Sequence, residues 1–278
     1  MKNILKTISV LLAAVSCCRE QTACLADPNA DQSVVDLFER MKSISGEGIM
    51  LGHQDDLSYG WQHHEFGHSD VFEMTGDYPA VIGWDLGHIE MSEETNIDDV
   101  RFDDMRRGIV ETDRRGGVST LSWHARNIIT GGTTWDNART DVVRLLLGEY
   151  REAFLAEVDK VADFLLSLRR DDGTSCPVIL RLFHEQTRDW FWWGARQSTP
   201  EEYIELYRMT VSHLRDIRGV HNVLYAVSPS EVADEAEFLE RYPGDAWVDI
   251  VGYDLYLFSS ILQEWSIIGI RHEAVWKS

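Results

Sequence analysis

The chain has 278 residues, an apolar fraction of 44% and a formal net charge of −21. This length fits one large domain or two smaller ones, and the apolar fraction is ordinary for a protein with a packed core. The negative charge argues against nucleic acid and against electrostatic adhesion to anionic membranes, because their phosphates would be repelled. Neutral polymers are compatible with this charge, and so is acidity that serves solubility alone.

The N-terminal residues predict an export signal. Lys2 and Lys6 lead into a short apolar run at 8–15, and small residues precede Cys17. The run is too short to anchor the mature protein across a membrane. Because the position of Cys17 resembles a bacterial lipoprotein signal, we predict a signal over 1–17, a lipid anchor at Cys17 and no other membrane contact. The predicted location is the periplasm, the outer membrane or the exterior.

The next segments alternate between polar, helical and strand-like patterns. Residues 18–31 are polar and predict a tether, and Val34, Leu37 and Met41 then recur at helical spacing. Short runs rich in Val, Ile and Leu follow, separated by amphipathic segments, as is typical of a parallel sheet. Strands are predicted at 48–53, 80–85, 118–124, 177–185, 222–228 and 249–256, and helices near 97–115, 150–169, 200–217 and 234–241.

Each predicted strand ends close to a polar residue that is suited to binding or catalysis. In a (β/α)₈ TIM barrel the carboxyl ends of all strands converge on one face, where they build a single site. An open doubly wound sheet would also place polar residues there, but the chain lacks the glycine-rich and Walker-type phosphate motifs that accompany nucleotide binding. The strand-end residues are His53, Asp85, His124, Glu185, Ser228 and Asp254.

Glu185 carries the strongest chemical signal. It ends an apolar run and stands just before a cluster of aromatic residues at 190–193. A carboxyl group that is partly desolvated at the mouth of a strand favours its protonated form, which suits a general acid. The alternative is a structural carboxylate paired with Arg181 or Arg188.

His184 and the tryptophans that follow Glu185 have several interpretations. By strand alternation His184 points away from Glu185, where it orients a neighbour or a sugar hydroxyl, or serves as a core histidine. Trp190, Trp192 and Trp193 cannot all face one core, so at least one is predicted to lie exposed in a groove and the others to pack. Aromatic and polar residues are also paired at Trp84-Asp85, at Trp123-His124 and near Trp135, which together favour a sugar-binding cleft.

The segment 61–68 contains three histidines, His63, His64 and His68. Histidines bind metal ions, but the three are not accompanied by a recognisable set of cysteine or carboxylate ligands. We therefore predict a loop that contacts substrate or solvent, and no metal site.

These motifs resemble glycoside hydrolase family 26, best known for β-mannanases. The resemblance implies a (β/α)₈ barrel over 32–278 and retaining hydrolysis of β-1,4-mannosidic bonds in mannan, glucomannan or galactomannan. We expect a monomer that binds the polysaccharide and uses no cofactor. The matching pieces are Gly52-His53-Gln54, Gly83-Trp84-Asp85, Ser122-Trp123-His124, Ala125-Arg126-Asn127, the segments 181–185 and 190–194, Ser228-Pro229 and the segment 252–256.

The resemblance also implies a role for each of these residues. Glu185 is similar to the acid/base of the family, and Tyr256 to the phenol that hydrogen-bonds the nucleophile. The substrate-binding residues implied by the matching motifs are His53, Trp84, His124, His184, Trp190, Trp193 and Asp254.

The nucleophile of the family is a second glutamate on the seventh strand, and the resemblance does not extend to it. Glu264 and Glu273 are the later glutamates, and neither stands in a matching context. We therefore expect an incomplete barrel with about six of eight strands, cut short after Tyr256. The alternatives are a binding remnant that holds manno-oligosaccharides without cleaving them, an unstable remnant, or an enzyme acting on β-1,3-1,4-glucan or β-1,3-xylan.

Overall fold

The computed structural model describes residues 25–255 and, for its backbone, the strand 265–269. The predicted signal over 1–17, Cys17 and Tyr256 lie outside these residues. Six strands occur close to the predicted positions. They are β1 (Gly52–Gln54), β2 (Val81–Asp85), β3 (Val118–Ser122), β4 (Val178–Arg181), β5 (Val223–Val227) and β6 (Ile250–Leu255), and a further strand is β7 (Trp265–Gly269).

The helices lie between the strands, and the longer ones match the sequence pattern. Two further helices, Asp70–Thr75 and Val142–Leu147, were not predicted from the sequence pattern. The helices are α1 (Gln32–Ser45), α2 (Asp70–Thr75), α3 (Phe102–Arg114), α4 (Val142–Leu147), α5 (Arg151–Ser167), α6 (Pro200–Ser212) and α7 (Glu235–Glu240). A π-helical turn, His213–Ile217, extends α6.

The strands form one sheet in chain order, from β1 to β7. All neighbours from β1 to β6 are parallel, whereas β7 pairs with β6 in the antiparallel direction. The six parallel strands form a curled half-barrel with helices between them, so the predicted incomplete (β/α)₈ barrel is confirmed. The strand at 265–269 is therefore not a seventh parallel strand of that barrel.

The sheet buries both of its faces. Ile179, Leu224 and Ile250 pack against α1, while Val178, Leu180 and Tyr225 join the larger cluster that includes the outer helices. Successive residues of one strand thus belong to different clusters, as the alternation of side chains in a strand requires. The face that contacts α1 is the inner face of the half-barrel.

The segment 25–31 corrects the prediction of a tether at 18–31, as far as the structure describes it. Ala26 and Asp27 are buried, and the backbone N–H of Ala26 donates to the carboxylate of Asp249 at 2.6 Å. Asp27 pairs with His221 at 2.8 Å. The polar composition reflects these buried partners rather than a free linker. Within the described residues, no helix combines the length and apolar character needed to cross a membrane.

Candidate active site

The inner face of the half-barrel changes from apolar to polar along its strands. Residues near the amino ends of the strands pack on α1, and polar residues follow two or four positions later on the same face. Register places Asp85 opposite Ser122 and Arg181 opposite Ala226. The carboxyl ends of β2 to β6 therefore present one continuous polar surface, as a barrel of parallel strands requires. Its members are Asp85, Ser122, Arg181, Ser228 and Asp254.

Glu185 lies at this surface in a tight turn, not in a strand. The predicted strand 177–185 ends at Arg181, and both Phe183 (φ 46°) and Glu185 (φ 56°) adopt left-handed backbone conformations. Such conformations are costly for residues other than glycine and cluster at functional sites. The backbone N–H of Glu185 donates to the carbonyl of Ser228 at 2.7 Å, which ties the turn to β5.

The side chain of Glu185 is buried, with 4% of its surface exposed. The indole N–H of Trp190 donates to its Oε2 at 2.6 Å. The two arginines considered as its structural partners have other carboxylates beside them: Arg181 pairs with Asp254, and Arg188 with Glu231. Glu185 is therefore a buried carboxyl group that is held by a hydrogen bond from Trp190.

His184 is also buried, and strand alternation does not determine its direction because it lies in the turn. Its ring packs against His124 and Phe191, with ring centroids 4.7 and 5.2 Å apart. Burial, and then the charges of Arg181 and His124, hold the pKa of His184 well below its ordinary value. The imidazole is thus neutral near pH 7, and among residues 25–255 its Nδ1 has no hydrogen-bond partner.

His124 follows β3 and is fixed by Asp85, which ends β2. Its Nδ1 lies 2.6 Å from Oδ2 of Asp85, and that carboxylate also accepts from the hydroxyl of Ser122 at 2.6 Å and from the backbone N–H of Gly87 at 2.7 Å. Because an ionised carboxylate only accepts, Nδ1 carries the proton, and Nε2 is the nitrogen left for a ligand.

The pKa of Asp85 reflects opposing influences. Burial raises it, but the charge of His124 and the hydrogen bonds from His124, Ser122 and Gly87 lower it more, so the pKa lies below its ordinary value. Asp85 is therefore ionised and serves as a fixed negative anchor for the imidazole.

Trp135, Phe191 and Trp190 form an aromatic wall beside the two histidines. The indole of Trp135 stacks on His124 with centroids 5.4 Å apart and is 51% exposed. Phe191 touches both His124 and His184, and Trp190 is partly exposed. An exposed indole next to a fixed imidazole offers an apolar face and a hydrogen-bonding nitrogen to the same ligand.

Two predicted substrate-binding tryptophans lie in the core, which corrects those predictions. Trp193 is fully buried, and its indole N–H donates to the carbonyl of His184 at 2.8 Å, so it supports the turn from behind. Trp84 is fully buried on the outer face of β2, where a Cβ added at Gly108 would come within 2.6 Å of its ring. Neither indole has surface to offer a ligand.

The remaining predicted residues occupy different environments. His53 is exposed, and its Nδ1 lies 3.6 Å from Oδ1 of Asp56. Asp254 is buried, pairs with Arg181 and accepts from the hydroxyl of Ser228 at 2.7 Å, so it shapes the polar floor. Tyr256 lies outside the described residues, as do Glu264 and Glu273.

The sequence did not single out Asp55, a second unusual carboxyl group at this face. It follows β1 with a left-handed backbone (φ 51°) and is 1% exposed. Burial, and then the charge of Asp98, raise its pKa to about 7, against hydrogen bonds from Tyr59 and Gln54. No local pattern marks such a residue, because its burial depends on segments far away in the chain.

Comparison with known proteins places the chain in a family. The model of "Glycosyl hydrolase family 26" matches residues 26–268. The chain belongs to glycosyl hydrolase family 26. A mannan endo-1,4-β-mannosidase of Bifidobacterium adolescentis is 38% identical over 245 residues, covering 84% of this chain and 24% of that protein. One from Bacillus subtilis is 28% identical over 279 residues, covering 91% of this chain and 72% of that protein.

Solved family 26 structures have the same fold. A β-mannanase of Bacteroides ovatus superposes with a TM-score of 0.79 at 44% identity, covering 82% of this chain and 67% of that one. A modular endo-β-1,4-mannanase of Cellulomonas fimi superposes with a TM-score of 0.77 at 38% identity, covering 84% and 53%. The chain thus spans about a quarter of the Bifidobacterium relative and about half to two thirds of these structures.

Proposed function

We propose that this family 26 chain hydrolyses β-1,4-mannosidic bonds in mannan, glucomannan or galactomannan with retention of configuration. The observation that carries the proposal is Glu185, a buried carboxyl group at the carboxyl end of β4 that is held by the indole of Trp190 and flanked by His184. The names of the relatives, mannan endo-1,4-β-mannosidases, support the choice of substrate.

Glu185 acts as the acid/base. An indole N–H can only donate, so Trp190 holds Oε2 of Glu185 as an acceptor, and the protonated carboxyl group carries one acidic proton. That proton passes to the glycosidic oxygen as the bond to the anomeric carbon breaks, and the resulting carboxylate then activates the water that completes hydrolysis.

Retention requires a second carboxylate about 5 Å from the acid, which attacks the anomeric carbon and forms a covalent mannosyl intermediate. The later glutamates of the chain, Glu264 and Glu273, lie outside the described residues. An assay for hydrolysis by this chain therefore tests directly whether the chain supplies the nucleophilic carboxylate.

The two histidines and Trp135 hold the sugar. Nε2 of His124 and the neutral ring of His184 offer hydrogen bonds to hydroxyl groups of the sugar. The exposed face of Trp135 stacks on the apolar face of a pyranose ring. No step in this scheme needs a cofactor.

The test is a reducing-sugar assay on galactomannan and glucomannan, with β-1,3-1,4-glucan and β-1,3-xylan for comparison. We expect turnover of the mannans, reduced roughly 10²–10⁴-fold by Glu185→Gln because the general acid is lost. Glu231→Gln is the matched control, since Glu231 pairs with Arg188 at the surface of the same loop region. If the protein migrates more slowly in a mannan-containing gel but releases no product, the chain binds mannan without hydrolysing it.

We also propose that the chain is exported, lipidated at Cys17 and monomeric. The charged, apolar and small-residue segments of 1–17 support export and lipidation. Expression in a bacterial host should place the protein in the membrane fraction, and Cys17→Ala should release it. A soluble wild-type protein would contradict the anchor, and a dimer in light scattering would contradict the monomer.

A further inference from the structure

The loop after β1 brings together three side chains that the sequence separates. The structure brings the carboxylate of Glu73, which lies on α2, to two of the histidines of this loop. Nε2 of His63 lies 3.2 Å from Oε1 of Glu73, and Nδ1 of His68 lies 3.8 Å from the same oxygen. The three ligand atoms all lie within 4.8 Å of one another.

We propose that His63, His68 and Glu73 bind one Zn²⁺ ion. Zinc in proteins takes nitrogen and carboxylate oxygen at about 2.0–2.2 Å in a tetrahedron, which separates neighbouring ligand atoms by about 3.4 Å. The two distances to Glu73 bracket that separation. Two imidazoles and one carboxylate are a known zinc ligand set, with water in the fourth position.

The geometry of the loop prepares these ligands. The two imidazole rings are stacked with centroids 4.2 Å apart and planes only 8° apart, so both edges reach the same carboxylate. Backbone hydrogen bonds from Gly60 to His63 at 2.7 Å and from Gly67 to Leu57 at 2.6 Å close the loop. A preorganised set loses less conformational entropy when it binds an ion.

The position of α2 is fixed independently of the histidines. Ser69 caps the helix by accepting from the backbone N–H of Phe72 at 3.0 Å, and Asp70 accepts from the backbone N–H of Trp61 at 2.7 Å. These contacts at the first residues of α2 orient the helix so that Glu73 faces the histidines. All three ligands are partly exposed, which gives an ion access from solvent, and the net charge of −21 attracts cations.

The consequence of binding is a pinned loop on the face that carries the active site. The loop follows β1 and so lies at the carboxyl end of the strands, with Trp61 89% exposed near its tip. Zinc would join the middle of the loop to the first turn of α2. This inference does not depend on the proposed hydrolysis, since its readout is metal binding.

The experiment measures Zn²⁺ binding to the full chain without an affinity tag, after removal of metal by a chelator. We expect saturable binding of about one ion per chain, and with Co²⁺ the visible absorption of a tetrahedral site. His63→Ala, His68→Ala and Glu73→Gln should each weaken Zn²⁺ binding at least about tenfold. His64→Ala, in the same loop but outside the ligand set, should leave the affinity unchanged.

Thermal melting of each variant without metal separates loss of the site from loss of the fold. In the wild type, Zn²⁺ should raise the melting temperature, because an ion that binds only the folded state stabilises it. Glu73→Gln keeps the size of the side chain and should melt like the metal-free wild type. The proposal is overturned if binding is not saturable, or if it persists with equal affinity in His63→Ala and Glu73→Gln.

Discussion

Asp85 determines which nitrogen of His124 faces the cleft. In Asp85→Asn the amide group replaces one acceptor oxygen with a donor, so the proton of His124 moves from Nδ1 to Nε2 or the ring turns. Losing a hydrogen bond to a charged group costs about 1.5–3 kcal/mol, which corresponds to roughly 10–100-fold in rate. We expect a fall of that size in kcat/KM on mannan, with a changed pH profile.

The control for Asp85→Asn is Asp103→Asn, on the exposed surface of α3. Both variants should melt as single cooperative transitions, so that activity is compared between folded proteins. If Asp85→Asn keeps the kcat/KM and pH profile of the wild type, the anchoring role is refuted.

Asp55 predicts a dependence of stability on pH. Its carboxyl group has a pKa of about 7 in the folded state, against about 3.9 for an unfolded chain. Between these values the folded state holds a proton that the unfolded state has lost, so the stability contributed by Asp55 is lost as pH rises from about 4 through 7. Asp55→Asn removes the ionisable group, and with it the loss of stability at higher pH.

We expect Asp55→Asn to match the wild type near pH 4 and to exceed its free energy of unfolding by about 2 to 4 kcal/mol at pH 8. Urea unfolding at the two pH values measures the difference. An equal difference at both pH values would show that the carboxyl group titrates normally.

At the scale of elements, α6 begins with a capping box. Thr199 accepts from the backbone N–H of Glu202 at 3.2 Å, Glu202 accepts from the backbone N–H of Thr199 at 3.0 Å, and Pro200 occupies the first turn. Thr199→Ala should lower the free energy of unfolding by about 1 kcal/mol, and Thr199→Ser should restore it. Equal losses in both variants would assign the effect to packing.

The turn that carries Glu185 and Trp190 is closed by Gly194. A Cβ at this position would lie 2.2 Å from the carbonyl oxygen of Arg188, which accepts from the backbone N–H of Ala195. Gly194→Ala must therefore displace the loop, and we expect a loss of about 1–3 kcal/mol in stability together with most of the activity. Gly46→Ala, with nothing within 4 Å, should change neither, and an active Gly194→Ala would contradict this account.

The helices that the sequence pattern missed, α2 and α4, show that elements are only partly predictable. Hydrophobic period predicted α3, α5 and α6 because each extends over three turns or more. It missed α2, although that helix supplies Glu73 to the proposed zinc site. The strand at β4 was predicted too long, because an apolar run does not reveal the left-handed turn at Phe183.

At the scale of the whole molecule, the segment 25–31 closes the half-barrel on the side of α1. Its removal would leave the buried carboxylate of Asp249 without the donor at Ala26, and His221 without Asp27. Burial raises the pKa of Asp249 to about 6 even with that donor present. A chain that begins at residue 32 should therefore lose about 2 kcal/mol or more of stability relative to one that begins at residue 25.

Chemical unfolding of the two chains, measured at pH 7, tests the role of this segment. Asp27→Asn in the longer chain isolates the pair with His221 from the contribution of Ala26. Identical midpoints for the two chains would mean that 25–31 is a passive tether, as its composition predicted.

The sequence by itself determined the six parallel strands, their order in the sheet and the position of Glu185 shortly after β4 and before a cluster of tryptophans. These features depend on the local periodicity of hydrophobic residues and on the rule that the carboxyl ends of parallel strands meet at one face. The resemblance to the family was also visible in the sequence, because each of its motifs is an unbroken run of residues. These motifs lie at 52–54, 83–85, 122–127 and 181–194.

Only the tertiary structure decided which residues meet across the chain. Strand register places Asp85 beside Ser122, and packing buries Trp84 and Trp193 in the core. The position of α2 brings Glu73 next to His63. The physical reason is that burial, hydrogen bonding and ligand geometry depend on distances between segments, and no local pattern of residues specifies those distances.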